Sequence, residues 1–465
     1  MTESTRAASI HKVRRLGVGG KRGPGWEYQR RGRRVRRPDP RRVQRGRVDP
    51  SVSGVAGLVP FNSFLRDLGV GRSLARLFNH LKSSHGLVYS MGSQLQLLID
   101  VAAAGEERVF GVEFLAGDPV FKHLAGGAVP SLDTVYRDLR RLDEGSLEAL
   151  EGFMAEQGLR CVPTGRCRLH LDLDSSVMPL FGSQEGALPG PNPRYHARPS
   201  YHPLLGVIAE TGTCVGARLR PGDTSLGEND SPTFTAWIGR LRRHVGPRAL
   251  LTVRLDAAGD CAELLRSFDA AGVRFLVKLR VTPNVIGALV TQPHWRTVDR
   301  DADGKPTRQV ATLTFQRESW LALGGGHRVV AIRRNDRESG NQLRLWEDND
   351  LSTQLYITND WNTPEEDLAE EYNDRAEIEP VIGDLKHALG IGKMPSQDFN
   401  ANHAAFLLKL LTHNLLRVYA RRTARAVAHW RTPWLRRVLI LRPGRLLRSG
   451  RRWTLRTAPS LIQLE

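Results

Sequence analysis

The stretch from residue 165 to 280 constrains the fold more than any other part of the sequence. It begins with three strand-like segments in succession, at 168–174, 201–209 and 213–219. Short runs with alternating or continuous apolar residues are typical of strands, and three in a row favour a meander. Helix and strand patterns then alternate as far as residue 280, as they do where helices cover a sheet. The expected fold class is therefore α/β.

Helical and strand patterns on either side of this core suggest further parts. Residues 49–160 have helical apolar spacings with Gly-rich breaks, while 281–358 contains short strand candidates at 310–315, 327–332 and 354–358. Helices are predicted at 364–387 and 401–419. The predicted parts are a disordered basic arm at 1–48, a small helical domain at 49–160, a core at 165–280 and 359–420, a β-rich insertion at 281–358 and a basic region at 421–465.

The charge balance indicates a polyanionic partner. The chain has 68 Lys and Arg against 49 Asp and Glu, a formal net charge of +19, and nucleic acid is the first candidate. A solvated basic surface is the alternative. Much of the charge lies in the Arg-rich residues 1–48, which are predicted either to grip phosphates or to be an inert tail. Residues 417–456 add 13 Arg and no acid.

Cysteine usage and hydropathy set the compartment that we expect. The four cysteines contain no C-x-x-C pair, so neither a disulfide framework nor a structural zinc site is indicated. The sequence has no apolar run of about 18 residues and no apolar segment after its basic N-terminus, which argues against a membrane span or a secretory signal. A reducing cytoplasm fits these observations.

A candidate DNA-recognition helix lies at 130–142. Ser131 is in position to cap it, and the apolar residues fall on one face. The basic residues that lie off that face are Arg137, Arg140 and Arg141. Two interpretations stay open, a helix that contacts DNA and an ordinary amphipathic helix with a basic outer face.

Acidic residues mark two of the predicted strands. In the segment that ends at Asp174, the period of two places His170, Asp172 and Asp174 on one face. Two carboxylates on one face are costly unless a cation or hydrogen bonds balance them, so either a metal site or an ion-pair role is expected. Asp256 follows the strand candidate at 249–255, where it could bind a ligand or cap the next helix.

A third set of polar residues lies along the predicted helix at 364–387. At about 100° per residue, its four members fall within roughly a 60° arc; they are Tyr372, Arg375, Glu379 and Lys386. Such a stripe suits phosphates and metal ions, and ordinary ion pairs on a surface helix are the alternative. Pro380 predicts a kink after Glu379 unless it sits in a first helical turn.

The four residues give the order Tyr-x2-Arg-x3-Glu-x6-Lys, which resembles the Y-R-E-K signature of bacterial insertion-sequence transposases with a DDE domain. Asp174-Ser175-Ser176 is similar to the first Asp motif of these enzymes, and Arg254-Leu255-Asp256 to the second. Further similarities to their group 1 branch are Gly182-Ser183-Gln184-Glu185-Gly186-Ala187, Tyr201-His202-Pro203-Leu204-Leu205 and Asn414-Leu415-Leu416. The resemblance covers about residues 49 to 460 and leaves the N-terminal arm outside.

The resemblance implies a ribonuclease-H-like catalytic core with a β-rich insertion, preceded by a small helical DNA-binding domain. Asp174, Asp256 and Glu379 would be catalytic and would bind two Mg²⁺ or Mn²⁺ ions, with Asp172 as a further candidate ligand. The residues expected to hold DNA phosphates are Tyr372, Arg375 and Lys386. The partners would be double-stranded DNA at element ends and target and a second copy of the chain, and the protein would work in the cytoplasm with the nucleoid.

Two other functions remain open from the sequence. A catalytically silent DNA-binding protein derived from a transposase would keep the fold and charge without turnover, although the retained acids argue against it. A generic basic RNA-binding or structural protein would need no buried acids among its basic residues.

Overall fold

The computed structural model describes residues 39–44, 46–82, 88–190, 197–291, 294–322, 326–335 and 351–458. The predicted basic arm at 1–48 lies mostly outside these residues. The chain divides into two compact units, Met1–Asp49 and Pro50–Glu465. In the first unit the described residues include a short 3-10 helix, Pro40–Arg42, which begins after Asp39. The remaining description concerns the second unit.

Helices and strands of the second unit are numbered in chain order. The described residues form helices α1 Leu58–Asp67, α2 Val70–Phe78, α3 Met91–Ala104, α4 Gly111–Leu115, α5 Pro119–Leu124, α6 Leu132–Leu139, α7 Glu144–Leu159, α8 Ser231–Val245, α9 Ala262–Ala270, α10 Pro283–Val290, α11 Glu318–Ala322, α12 Glu365–Asn373, α13 Ile378–His387, α14 Phe399–Thr423 and α15 Thr432–Leu439. They form strands β1 Val52–Ser53, β2 Arg168–Ser175, β3 Met178–Pro179, β4 Ser200–Tyr201, β5 Leu204–Ile208, β6 Thr213–Arg218, β7 Leu250–Leu255, β8 Arg274–Lys278, β9 Arg296–Arg300, β10 Pro306–Leu313, β11 Arg328–Asn335, β12 Leu351–Thr358, β13 Gly444–Ser449 and β14 Arg452–Thr457.

Nine of the described strands form one mixed sheet in the order β6-β5-β2-β7-β8-β12-β11-β10-β9. Strands β2, β5 and β6 pair antiparallel, which confirms the predicted meander. Strands β2, β7 and β8 pair parallel, with α8 and α9 between them in the chain. The predicted alternation of helix and strand is therefore confirmed, and the fold is mixed α/β.

Two glycines explain how α8 lies against the meander. Gly206 and Gly216 are opposite each other on β5 and β6, and the indole of Trp237 from α8 lies against this pair. A Cβ atom added at Gly216 would lie 2.0 Å from the Trp237 ring. The absence of a side chain at this position lets a large aromatic residue pack directly on the sheet.

The strands predicted as an insertion continue the same sheet. The predicted strands appear as β10, β11 and β12, and β12 pairs antiparallel with β8 at the edge of the parallel part. Strand β9 and helices α10 and α11 were not predicted. Because backbone hydrogen bonds run through all nine described strands, the added strands share one sheet with the acidic residues of β2 and β7.

The predicted helix at 401–419 is α14, and it is buried on nearly all sides. The helices of residues 58–159 share a hydrophobic core with it; for example, the rings of Phe61 and Tyr419 lie 5.3 Å apart. Asn414 joins α14 to the sheet and to α7, because its Nδ2 donates to the carbonyls of Cys214 at 2.7 Å and Met154 at 2.9 Å. The boundary predicted at residue 160 remains a prediction.

Part of the predicted basic region at 421–465 is ordered structure. Strands β13 and β14 form a hairpin, and β13 also pairs with β1. Arg436 is buried, and its guanidinium donates to the carbonyls of Ala102 and Ala103 at the end of α3. Among the described residues, no helix is both long and apolar enough to cross a membrane.

Candidate active site

One face of β2 carries three polar side chains, as the period of two predicted. His170, Asp172 and Asp174 follow one another along this face, interleaved with buried leucines. The parallel pairing of β2 with β7 sets Asp172 opposite Arg254. Continued by two residues, this register brings Asp174 alongside Asp256, at the carboxyl ends of both strands.

Asp172 is paired with a buried arginine. Arg254 Nε donates to Asp172 Oδ1 at 2.6 Å and its second nitrogen to Oδ2 at 2.9 Å. Both side chains are almost completely buried. Burial raises the pKa of Asp172, although Arg254 works to lower it. Both carboxylate oxygens accept from one guanidinium, as in the ion-pair alternative, and a metal-binding role for Asp172 stays a prediction.

Asp174 is the acid of β2 that is coupled to the second strand end. Asp256 follows β7 and caps a 3-10 turn, Ala257–Gly259, accepting from Ala258 N–H at 3.0 Å. The pKa of Asp174 is raised to about 6, mainly by burial and further by the charge of Asp256; Arg375 and Lys386 act in the opposite direction. The two carboxylates thus share a half-buried location in which the charge of Asp256 disfavours the charged form of Asp174.

The helix predicted over 364–387 is interrupted, so a single continuous helix was the wrong prediction. It consists of α12, a 3-10 turn at Asp374–Glu377, and α13. Pro380 has no N–H to bond to the carbonyl four residues earlier, and its ring would clash with that carbonyl. The chain starts a new helix just before it, so that Pro380 sits in the first turn of α13, where no such bond is needed.

This interruption divides the predicted stripe between three elements. Tyr372 lies on α12 and packs against Tyr356 of β12 with ring centroids 4.7 Å apart. Arg375, in the 3-10 turn, donates to Asp174 Oδ1 at 3.0 Å and to the carbonyl of Leu173 at 3.1 Å. Its Nε is buried and has no hydrogen-bond partner among the described residues.

The electrostatics of Tyr372 and Arg375 show that both face the acids. Burial raises the pKa of Tyr372 to about 12, and the charges of Asp256, Asp172 and Asp174 contribute to the rise. Burial alone would lower the pKa of Arg375, but Tyr372 and the same three carboxylates raise it above its ordinary value. The structure therefore brings together five of the residues chosen from the sequence: Asp172, Asp174, Asp256, Tyr372 and Arg375.

Glu379 and Lys386 lie on α13. Glu379 is exposed in the first turn, while Lys386, in the last turn, is near enough to Asp174 to affect its pKa. Within the described ranges, no group of three or more His, Cys, Asp or Glu side chains is arranged to hold a metal ion. The structure thus brings two of the three predicted catalytic acids together and leaves Glu379 on the adjoining helix.

A network of polar and charged side chains around His170 of β2 was not predicted. His170 contacts Glu210 Oε1 through Nδ1 at 2.9 Å and Glu371 Oε1 through Nε2 at 2.8 Å. Glu371 also pairs with Arg274, and its backbone carbonyl accepts from Arg254. These contacts fix α12 on the sheet immediately before Tyr372. The position of His170 on the acid face was the signal available in the sequence, but its partners lie 40 and 201 residues away.

The three arginines of the candidate recognition helix have different surroundings. Ser131 begins α6 as expected, accepting from Thr134 N–H. Arg137 and Arg140 are exposed, with Arg140 just after the last helical residue. Arg141 pairs at 3.1 Å with the buried Asp138. All three side chains are exposed, and Arg141 differs from the other two in pairing with a buried carboxylate.

The donor set at the strand ends fits a hard divalent cation. Asp174 and Asp256 supply carboxylate oxygens, which Mg²⁺ and Mn²⁺ prefer. Burial and the charge of Asp256 both raise the pKa of Asp174. A cation between them would relieve both burial and repulsion.

A comparison with protein families decides the family. The model of the family described as "Transposase DDE domain group 1" matches residues 41–463. This chain belongs to that family. A transposase DDE domain group 1 protein is what the quoted motifs led us to expect, and the resemblance is confirmed at this level. The Y-R-E-K signature and the roles of its residues remain predictions.

Other comparisons give less detail about this transposase DDE domain protein. Among solved structures, it is similar to the cryo-EM structure of a piggyBac transposase synaptic complex with hairpin DNA. The TM-score is 0.43, with 11% sequence identity over 82% of this chain and 79% of that chain. No curated protein matches the chain.

Proposed function

We propose that this protein is a DNA transposase that binds the double-stranded ends of a mobile element, cleaves phosphodiesters and joins the 3′-hydroxyl ends to target DNA. Membership in the transposase DDE domain family supports a DNA transposase. The proposed core is ribonuclease-H-like: the antiparallel meander β6-β5-β2 followed by parallel β7 and β8 is the order that we expected for it.

One observation carries the proposal. Asp174 and Asp256 lie at the carboxyl ends of two adjacent parallel strands, and the charge of Asp256 raises the pKa of Asp174. The carboxyl ends of strands in α/β sheets are where ligands usually bind. Strongly perturbed carboxylates at such an edge are candidates for catalysis.

Asp174, Asp256 and Glu379 are proposed to hold two Mg²⁺ or Mn²⁺ ions. When bound, such ions activate the attacking water or 3′-hydroxyl and stabilise the leaving oxygen. Glu379 is included because its neighbours along the chain act on Asp174: Arg375 donates to it, and Lys386 lowers its pKa.

The basic and phenolic groups have roles that follow from their placement. Arg375 lies against Asp174, and its buried Nε is an unused donor in the described structure. A phosphate oxygen at the strand ends could accept from this nitrogen in a charge-assisted hydrogen bond. Lys386 would add a second positive charge beside the phosphate. Tyr372, held in place by Tyr356, would close the inner side of the site against water.

Basic surfaces elsewhere would bind the DNA on either side of the cleaved bond. Arg137 and Arg140 of α6 are candidates for contacts with element-end DNA. Since two ends must be joined, we expect a homodimer on DNA, acting on the nucleoid in the cytoplasm.

The test is Mg²⁺-dependent cleavage of duplex DNA from the ends of the element. We expect Asp174→Ala, Asp256→Ala and Glu379→Gln each to lower the cleavage rate by at least about 10³-fold, as loss of a principal catalytic group does. DNA affinity should stay nearly unchanged, because none of the three attracts phosphate. A matched control is Glu377→Gln, an exposed acid two residues before Glu379.

Normal cleavage by any one of the three variants would remove that residue from the catalytic set. If the wild-type chain binds element ends but never cleaves them with Mg²⁺ or Mn²⁺, the silent DNA-binding protein becomes the better description.

A further inference from the structure

The C-terminal hairpin of β13 and β14 is rich in arginine and separate from the acids of the main sheet. It belongs to a small sheet with β1. Between residues 444 and 457 the chain has five arginines and no acidic residue: Arg445, Arg448, Arg451, Arg452 and Arg456. All five are exposed.

The two faces of the hairpin differ. On one face, Leu446 is buried and packs with Leu455 in the hydrophobic core of the helical part. On the other face the register sets Arg445 opposite Arg456 and Ser449 opposite Arg452. Thr454 lies between these arginines on β14 and is also exposed. The solvent face thus carries guanidinium and hydroxyl groups around the half-buried Leu447, which lies opposite Thr454. Arg451 lies in the turn that joins the two strands.

This arrangement is unfavourable for an isolated hairpin. Like charges directly opposite each other on antiparallel strands destabilise the pair. Over the part of the chain that the structure describes, no carboxylate forms an ion pair with Arg451, Arg452 or Arg456. A polyanion would supply the missing negative charge.

Aromatic contacts hold the hairpin in place without such a partner. The ring of Trp453 lies 4.5 Å, centroid to centroid, from His123 of α5. Arg448 lies over the same indole at 5.6 Å. Together with the pairing of β13 and β1, these contacts fix the strands that carry the arginines before any partner binds, which lowers the entropic cost of binding.

We propose that the solvent face of this hairpin is a duplex-DNA-binding surface, in which Arg451, Arg452 and Arg456 contact backbone phosphates. The inference rests on the proposed function for its choice of double-stranded DNA. At about 3.4 Å per residue, Arg452 and Arg456 lie roughly 14 Å apart along β14, which corresponds to about four base pairs of duplex. Since the contacts are to phosphates, they add affinity without sequence preference.

The test compares two full-length variants of equal net charge. The first carries Arg451→Gln, Arg452→Gln and Arg456→Gln. The control carries Arg243→Gln, Arg248→Gln and Arg266→Gln, three exposed arginines of the α8–α9 region. Affinity for a linear duplex of arbitrary sequence is measured in EDTA over a range of salt concentrations.

We expect the hairpin variant to flatten the slope of log affinity against log salt by about 2–3, since each phosphate contact contributes about 0.9. Its affinity at 0.1 M salt should fall at least tenfold relative to the control variant. A third variant with lysine at the same three positions should keep most of the slope, because an ammonium also neutralises phosphate. Thermal unfolding shows whether the hairpin variant is folded.

Equal slopes and affinities for the hairpin and control variants would overturn the inference, as would loss of binding in the folded lysine variant. These measurements need no metal and no cleavage, so they are independent of the catalytic assay. Failure of the acid variants to affect cleavage would refute the proposed function and leave the hairpin result standing.

Discussion

Two regions of the same strand face differ in how their charges are balanced. In the inner region, both carboxylate oxygens of Asp172 accept hydrogen bonds from the Arg254 guanidinium. His170 lies between Glu210 and Glu371. In the outer region, at the strand ends, Asp174 accepts a hydrogen bond from Arg375, and the negative charge of Asp256 raises its pKa. The two regions are two residues apart on β2.

The difference shows which acids have structural roles. In the inner network every carboxylate contacts a guanidinium or the His170 ring, so the network can fix α12 against β2 and β7 without further ligands. At the outer pair the charge of Asp256 works against the charged form of Asp174. This pair lies at the edge of the sheet, where we expect a cation to bind. We therefore interpret the inner acid as structural and the outer pair as the reactive centre.

The largest decrease in the free energy of unfolding is expected from breaking the ion pair between Asp172 and Arg254. Asp172→Asn leaves the buried Arg254 without its counter-charge and should lower the free energy of unfolding by about 3 kcal/mol. The matched change Asp174→Asn keeps an acceptor for Arg375 and removes repulsion, so its effect should stay within about 1 kcal/mol. Urea unfolding of both variants in EDTA measures this difference. Equal losses would show that the two regions are not distinct.

Asp100 of α3, outside the sheet, extends the comparison to a buried carboxylate whose hydrogen-bond partner is neutral. Asp100 of α3 is fully buried, and its hydrogen-bond partner is the neutral amide of Asn62 at 2.8 Å. Burial raises the pKa of Asp100 to about 7, while the Asn62 bond works to lower it. Because the unfolded chain loses this proton near pH 4, the folded state loses stability as the pH rises from about 4 to 7.

Asp100→Asn removes that penalty. We expect it to raise the free energy of unfolding, with a gain about 3 kcal/mol larger at pH 8.5 than at pH 5. Unfolding curves at the two pH values give the result. A gain independent of pH would mean that ionisation of Asp100 is not the cause.

The smallest change in the free energy of unfolding is expected for Glu371→Gln, at the boundary of the inner network. Glu371→Gln keeps an oxygen for His170 but removes the charge opposite Arg274, which also contacts Asp360 at 2.7 Å. We expect a loss of about 1 kcal/mol, since Arg274 keeps one carboxylate. A loss as large as that of Asp172→Asn would show that Glu371 is the main support of the network.

Sequence patterns were sufficient for the parts of the fold that depend on local periodicity. The strands that end at Asp174 and just before Asp256, the helix α8 between them and the capping role of Ser131 all follow from spacing within a few residues. The interruption before Glu379 was signalled by Pro380, but the sequence could not show that a 3-10 turn would direct Arg375 towards Asp174.

Contacts between distant segments could not be predicted in this way. The pairing of Asp172 with Arg254 joins residues 82 positions apart, and it depends on the register of two strands. The C-terminal hairpin was not predicted within the basic region at 421–465, because its core residues Leu446 and Leu455 are few among the arginines. The same limit applies to Glu379, whose role depends on contacts that the local pattern does not contain.

The central claim, that the outer acids need a cation which the inner acid does not, is tested most directly by Mn²⁺ binding. Binding to the full-length chain is measured by electron paramagnetic resonance, with Glu371→Gln as the control for a removed carboxylate charge. We predict that Asp174→Asn and Asp256→Asn each weaken Mn²⁺ binding at least tenfold, while Glu371→Gln binds like the wild type. Wild-type Mn²⁺ affinity in either outer variant would contradict the account.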